Sequence, residues 1–191
     1  VDALDGTRAF VKGQVDFTIN VALIVDRVPV FGMILLPANG EFYVTPAADR
    51  AARTVLSFDG ETSFDDLAFN DISTREPDPT ALVVSLSNSH PSAELEKQLV
   101  EKPISGRVEA GSSLKFCRVA EGLADFYPRL GSISEWDIAA GHAIVRAAGG
   151  EVTRLDGSAM HYGNTATNYR TPPFVAWGRE ALKDKVRFTP E

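Results

Sequence analysis

Cysteine is almost missing from this chain of 191 residues, since Cys117 is the only one. A disulfide framework within the chain and a zinc site built from several thiolates are therefore excluded, and the low cysteine content favours a reducing compartment. Cys117 lies on an apolar helical face and is predicted to be buried and inert. The sequence also has no apolar run of membrane-spanning length, so it does not indicate a membrane protein.

Basic residues are outnumbered by acidic ones. Lys plus Arg total 19 and Asp plus Glu total 26, which gives a formal net charge of −7. A general nucleic-acid binder needs a basic face, so we do not expect nucleic acid as a partner. A small anionic ligand remains compatible, because a local site on an acidic protein can be positive or can contain a metal. Hydrophobic residues make up 44% of the chain, as in an ordinary globular protein.

Strand and helix patterns alternate along the chain and change character near residue 80. Before an acidic stretch at 57–79, interpreted as solvated surface, strands are predicted at 17–24, 30–36 and 41–45. After it, the patterns predict strands at 81–86, 124–127, 152–155 and 173–177, and helices at 92–100, 113–123, 138–148 and 179–186. We therefore predict an α/β fold, a layered sandwich with an antiparallel β portion at 1–80 and an α/β portion at 81–191.

Two carboxylates near the start of the chain have a spacing that suits a divalent cation. Asp2 and Asp5 lie three residues apart and are followed by Gly6 and Thr7. A tight turn can aim both carboxylates at one point, and hard cations such as Mg²⁺ prefer oxygen ligands. Backbone N–H groups at Gly6 and Thr7 could also hold a phosphate. Asp5 could equally serve as a helix cap, so this motif alone leaves both interpretations open.

A third acid lies at the start of the helix predicted near residue 138. Asp137 follows Trp136, and the small residues after it would allow another backbone to approach closely. By itself Asp137 would be interpreted as a helix cap. On the same helix, His142 and Arg146 are four residues apart and are predicted to form its solvent-facing stripe.

The two acidic patterns together resemble the motifs of the inositol monophosphatase superfamily, whose members are metal-dependent, lithium-sensitive phosphatases. The matching segments are Asp2-Ala3-Leu4-Asp5-Gly6-Thr7 and Trp136-Asp137-Ile138-Ala139-Ala140-Gly141. Ala3 replaces the usual Pro, which removes some rigidity but no ligand. Similarity to the bacterial 3'(2'),5'-bisphosphate nucleotidase branch is carried by residues 17–24, 87–90, 111–117, 119–122, 127–129 and 134–137. Ala9 departs from this branch, which often has Glu at that position.

The resemblance implies a two-metal site for phosphate hydrolysis. Three carboxylates and one backbone carbonyl would be the ligands of Mg²⁺: Asp2, Asp5, Asp137 and Leu4. Asp2 would bridge the two ions, while Gly6 and Thr7 would hold the scissile phosphate through their N–H groups. The Thr7 hydroxyl would orient the attacking water, which makes Thr7 and Asp5 the implied catalytic residues.

The resemblance also implies a substrate site in the second half of the chain. Four residues match positions that contact the nucleotide: His90, Ser112, Lys115 and Arg129. Ser112 and Lys115 are three residues apart at a helix start and share a face, which together with Arg129 suits a dianionic phosphate. Without the resemblance, Lys115 would be interpreted as a solvated surface residue, Ser112 as a plain cap and His90 as structural.

We therefore expect a Mg²⁺-dependent phosphatase that hydrolyses adenosine 3',5'-bisphosphate to AMP and phosphate, a reaction of sulfur assimilation. An inositol-1-phosphate phosphatase is the alternative enzyme, because it shares the metal motif but does not need Lys115 and Arg129. An inactive metal- or nucleotide-binding fragment is the alternative from another class. The expected partner is a phosphorylated nucleotide, and a homodimer is compatible with the sequence. The expected location is the cytoplasm, with peripheral contact to the inner membrane as an alternative.

The position of Asp2 leads to one further expectation. In the family this aspartate ends a β-strand, and an upstream Glu-Glu pair supplies another metal ligand. We therefore expect the chain to be an N-terminally truncated part of a longer enzyme, with little phosphatase activity by itself. An apolar sheet face around Val21, Leu23 and Ile34 is then expected to be uncovered.

Overall fold

Six antiparallel strands form the first sheet, and neighbours in sequence are neighbours in space. The structure is a computed structural model that describes residues 1–58, 63, 66–88 and 92–190. The strands are β1 (Asp2–Asp5), β2 (Thr18–Val25), β3 (Val28–Leu35), β4 (Glu41–Ala47), β5 (Arg50–Val55) and β6 (Asn70–Ile72). The short helix α1 (Thr7–Val11) connects β1 to β2. Asp26 and Arg27 connect β2 to β3, and both have the positive φ of a two-residue hairpin loop.

Five strands form a second, mixed sheet in the order β10-β11-β9-β7-β8. They are β7 (Leu82–Leu86), β8 (Ile104–Glu109), β9 (Phe126–Arg129), β10 (Glu151–Arg154) and β11 (Phe174–Trp177). Strand β7 runs parallel to β8 and β9, and the other pairs are antiparallel. The helices of this half are α2 (Ala93–Val100), α3 (Leu114–Ala120) and α4 (Glu135–Ala147). Within the described ranges, no helix has both the length and the apolar character needed to cross a membrane.

Helices α3 and α4 lie between the two sheets. Buried apolar side chains from the first sheet, both helices and the inner face of the second sheet form one continuous core. A second core on the outer face of the second sheet is completed by α2 and the C-terminal segment. These alternating layers of sheet and helix confirm the predicted α/β class.

Helix α4 is packed on both sides with almost no gap. A Cβ atom on Gly32 of β3 would lie 2.3 Å from the carbonyl oxygen of Ala140, so the strand backbone touches the helix backbone. On another side of the helix, a Cβ on Gly141 would lie 2.4 Å from the ring of Phe116 in α3. The expectation that the small residues of this segment permit a close backbone approach is therefore confirmed.

Three local predictions are wrong. The strand predicted at 124–127 instead spans Phe126–Arg129. It continues through Pro128, which pairs with Val175, because β7 pairs with β9 only at Phe126 and a missing N–H at Pro128 costs little. The segment 179–186 has a single 3₁₀ turn at Glu180–Leu182 instead of a helix. Ile34 is fully buried because its side of the sheet packs on α4, whereas Leu23 is exposed as expected.

His142 also differs from its prediction. Arg146 is exposed, but His142 is buried, and its Nδ1 lies 2.8 Å from the hydroxyl of Tyr162. Helix α4 lies between the two sheets, so a side chain at His142 is covered, whereas Arg146, one turn further along, reaches solvent. Burial, assisted by the nearby Arg146 charge, lowers the pKa of His142 to about 3.

We expect this buried histidine to make folding stability depend on pH. The pKa of His142 in the folded protein lies below its value in the unfolded chain. The contribution of neutral His142 to folding stability is therefore complete above about pH 6.5. It declines as pH falls further, because only the unfolded chain then takes up the proton. Between about pH 7.5 and pH 5, the urea-derived unfolding free energy should lose roughly 2 kcal/mol more than in His142→Asn. Exposed His161 offers a matched control, and an equal pH loss in the wild type and His142→Asn would contradict the prediction.

Candidate metal centre and active site

Three carboxylates from distant parts of the sequence meet at one end of the helix layer. Asp2 and Asp5 are contributed by β1, and Asp137 by the first turn of α4. One oxygen from each of them lies within 4.8 Å of the other two. The meeting is a result of the fold, because β1 pairs with β2 and α4 packs across β2 and β3. A cluster of carboxylate oxygens is a donor set that hard divalent cations prefer.

Asp137 serves the helix and the cluster at the same time. Ser134 is the N-cap of α4, and its backbone N–H donates to Oδ2 of Asp137 at 3.0 Å in a capping box. This contact fixes the carboxylate at the helix start and leaves further acceptor capacity for a cation. The helix-cap interpretation and the metal-ligand interpretation are therefore compatible.

The carboxylates are held at an electrostatic cost. Burial, together with the neighbouring charges of Asp5 and Asp2, raises the pKa of Asp137 to about 6. Burial also raises the pKa of Asp5, although the positive charge of Lys115 opposes this rise. Three crowded, partly buried acids are stabilised in their charged form by a cation between them. The donor set thus fits a divalent metal ion.

The turn after β1 requires its glycine. Gly6 has φ +85°, and a Cβ atom there would lie 2.1 Å from the Ser112 hydroxyl oxygen. The metal motif and the segment before α3 are therefore in direct contact. In the same turn, the Thr7 hydroxyl donates to the carbonyl oxygen of Leu4 at 3.3 Å. The ligand and catalytic roles of Leu4, Gly6 and Thr7 remain predictions.

One cavity brings the acids and the predicted substrate residues together. Its volume is about 250 Å³, and its walls are formed by Asp5, Gly6, Ser87, Ser112, Lys115, Phe116, Tyr127, Arg129, Ile133 and Asp137. The interpretation of Lys115 as a solvated surface residue is wrong, since its side chain is buried. Its Nζ donates to the Ser112 carbonyl at 2.6 Å and lies 5.2 Å from the ring centre of Tyr127. Burial lowers the pKa of Lys115 to about 8.

A second cavity of about 240 Å³ adjoins the first one. The two share Ser87, Lys115, Tyr127 and Arg129, and the second is otherwise bounded largely by the apolar residues Leu86, Leu95, Pro128 and Leu130. A polar compartment at the acids therefore continues into a more apolar one, with Lys115 and Arg129 between them. The predicted contact residue His90 lies outside the described residues.

Sequence reasoning did not single out a set of buried polar residues behind Asp5. The Ser113 hydroxyl donates to Oδ1 of Asn20 at 2.6 Å, and the Thr18 hydroxyl lies 2.8 Å from that of Ser113. All three are buried and join β2 to the start of α3. Alternation along β2 gave no such signal, because it would assign Thr18 and Asn20 to the solvent face and the apolar Ile19 and Val21 to the core, whereas the structure buries the polar pair more deeply.

Comparisons with known proteins show the family of the chain. The sequence profile of the inositol monophosphatase family matches residues 1–184. The 3'(2'),5'-bisphosphate nucleotidase CysQ of Escherichia coli (strain K12) is 37% identical over 162 residues, which cover 85% of this chain and 61% of that protein. The corresponding enzyme of Buchnera aphidicola subsp. Acyrthosiphon pisum is 38% identical over the same share of this chain and 57% of its own.

A solved structure shows the same relationship. The crystal structure of CysQ from Bacteroides thetaiotaomicron, a bacterial member of the inositol monophosphatase family, superposes with a TM-score of 0.75 at 32% identity. The match covers 93% of this chain and 68% of that one. The chain spans about three fifths of the length of the two curated relatives named above. By sequence profile, by identity to these relatives and by fold, the chain belongs to the inositol monophosphatase family.

Proposed function

We propose that this chain carries the catalytic part of a Mg²⁺-dependent 3'(2'),5'-bisphosphate nucleotidase. The reaction would remove the 3'-phosphate of adenosine 3',5'-bisphosphate and release AMP and inorganic phosphate. The observation that carries the proposal is that Asp5, Asp137, Lys115 and Arg129 all line the same cavity. The names of the relatives support the same reaction.

The acidic end of the cavity would be the reaction centre. Three carboxylates and one carbonyl oxygen would hold the metal: Asp2, Asp5, Asp137 and Leu4. When bound, Mg²⁺ supplies Lewis-acid stabilisation of the phosphate oxygens and of the leaving group. The backbone N–H groups of Gly6 and Thr7 would hold the scissile phosphate, and the Thr7 hydroxyl would orient the attacking water.

The basic wall of the cavity would select a substrate with a second phosphate. Lys115 and Arg129 would bind that phosphate through charge-assisted hydrogen bonds, with Ser112 as a further contact. The adjoining apolar compartment would accommodate the nucleoside. Inositol 1-phosphate has only one phosphate and would make little use of this wall. We also propose a cytoplasmic location on the basis of the family resemblance alone. The contact of His90 with the nucleotide remains a prediction, and so does a homodimer.

Phosphate release by the natural full-length protein tests the proposal. Adenosine 3',5'-bisphosphate and inositol 1-phosphate are compared with and without Mg²⁺. We expect Mg²⁺-dependent hydrolysis with a higher kcat/KM for the bisphosphate. A preference for inositol 1-phosphate would assign the alternative reaction, and hydrolysis of neither substrate would contradict an enzymatic role.

Asp137→Asn tests the metal centre. The amide oxygen can still accept the Ser134 N–H, so the cap persists while the negative charge is lost. We expect about a hundredfold or greater loss of kcat, since a ligand of the cation that stabilises the transition state is weakened. Calorimetric Mg²⁺ affinity should fall as well, while the melting temperature of the metal-free protein should not fall, because the substitution removes a charge that burial and the neighbouring acids disfavour. Exposed Asp184 offers the control Asp184→Asn, and equal activity in both variants would contradict the assignment.

Lys115→Ala and Arg129→Ala test substrate selection. Each removes a charge-assisted contact worth roughly 1.5–3 kcal/mol, so kcat/KM for the bisphosphate should fall about 10- to 150-fold. A small aryl monophosphate should be affected much less, because it does not reach the basic wall. Lys183→Ala, which removes a cation paired with Glu151 and Glu180, is the control. Equal losses for both substrates would show that Lys115 and Arg129 have a structural role.

A further inference from the structure

We propose that Asp16 is a positioning residue for the substrate-selecting wall of the cavity, an inference that rests on the proposed function. Asp16 lies in the loop between α1 and β2, and it connects this loop to two other segments. Its Oδ2 accepts the Asn88 side-chain amide at 2.6 Å and the Gly111 backbone N–H at 3.1 Å. Its backbone carbonyl accepts the Ser112 hydroxyl at 3.0 Å. One residue thus joins the segment after β7 and the segment before α3 to the loop between α1 and β2.

The contacts continue from Asp16 to the selecting lysine. Ser112 has φ 46°, a left-handed conformation that is unfavourable for a residue with a side chain. Its hydroxyl is held by Asp16, and its carbonyl accepts the ammonium group of Lys115 at 2.6 Å. Asp16 therefore holds the strained residue Ser112 through its hydroxyl group. Ser112 in turn holds the ammonium group of Lys115 through its carbonyl oxygen.

The packing around Asp16 allows little adjustment. A Cβ atom on Gly111 would lie 2.5 Å from Cβ of Asp16, and one on Gly6 would lie 3.1 Å from its carbonyl oxygen. Gly6 lines the cavity, and Gly111 precedes Ser112, which also lines it. A shift of the Asp16 loop would therefore move Ser112 and the turn at Gly6 together. This coupling explains how the reaction centre and the selecting wall keep a fixed separation, which a substrate with two phosphates requires.

The hydrogen bonds of Asp16 allow a test of whether the site needs its acceptor oxygen or its negative charge. Oδ2 of Asp16 accepts both hydrogen bonds that its side chain makes, one from Asn88 and one from the Gly111 backbone. The amide oxygen of Asp16→Asn can accept the same two bonds without the negative charge. Asp16→Ala removes both bonds. The proposal requires the acceptor, so the Asn variant should resemble the wild type and the Ala variant should not.

Two measurements on the natural full-length protein test the proposal. In Asp16→Ala, hydrogen exchange of the amides at 111–115 should accelerate about tenfold, as expected for one lost hydrogen bond. The KM for adenosine 3',5'-bisphosphate should rise about tenfold with a small change in kcat. The KM for an aryl monophosphate should stay constant, because Asp16→Ala keeps the backbone carbonyl that packs against Gly6 and loses only the side-chain contacts to Asn88 and Gly111. Asp16→Asn should restore both properties, and Asp184→Ala should change neither.

The outcomes separate this inference from the proposed function. Unchanged exchange in Asp16→Ala would overturn the inference, whatever the activity. Equal losses on both substrates, together with a lower melting temperature, would assign a purely structural role and would also overturn it. If the wild type hydrolyses neither substrate, the proposed function fails. Even then, faster exchange in Asp16→Ala with wild-type exchange in Asp16→Asn would support the positioning of Ser112 by Asp16. Unchanged exchange in Asp16→Ala would refute that positioning.

Discussion

The close packing of α4 between β3 and α3 is the constraint on which the rest of the structure depends. Gly32 and Gly141 remove the side chains that would otherwise separate these backbones. The helix therefore has one allowed depth in the sandwich. Because Asp137 belongs to its first turn, the same packing sets where this carboxylate meets β1. A larger residue at either glycine would displace the helix and, with it, one third of the acidic cluster.

Polar links complement this apolar packing at the layer boundaries. Arg118 of α3 donates to the Tyr43 hydroxyl at 3.0 Å and pairs with Glu41 and Glu121, which ties the helix to the first sheet. On the second sheet, both oxygens of Asp125 accept from the Arg75 guanidinium at 2.7 Å. These partly buried links pair opposite charges and hydrogen-bonding groups, so they favour one arrangement of the layers. The site is therefore built on elements that cannot shift independently.

The site itself balances opposite charges across a short distance. The acids at one end have raised pKa values, and Lys115 at the other has a lowered one, both chiefly because burial disfavours charge. A cation and a phosphorylated substrate would relieve both costs at once. The arrangement thus gains stability from the ligands that the proposed reaction requires, as expected for a preorganised electrostatic site.

Some features could be predicted from the sequence because they are local. Alternating apolar residues and turn residues predicted most strands. The acidic metal cluster was implied by the resemblance to the inositol monophosphatase superfamily, because the spacing of Asp2 and Asp5 and the position of Asp137 each left a helix cap as an alternative. The positions of Lys115, His142, Ile34 and Asp16 could not be predicted in this way. Periodicity shows which residues share a face, but not how many faces of an element are covered. Only the tertiary structure enclosed α4 from several sides and brought the loop of Asp16 against Ser112, because those contacts join residues that are far apart in the chain.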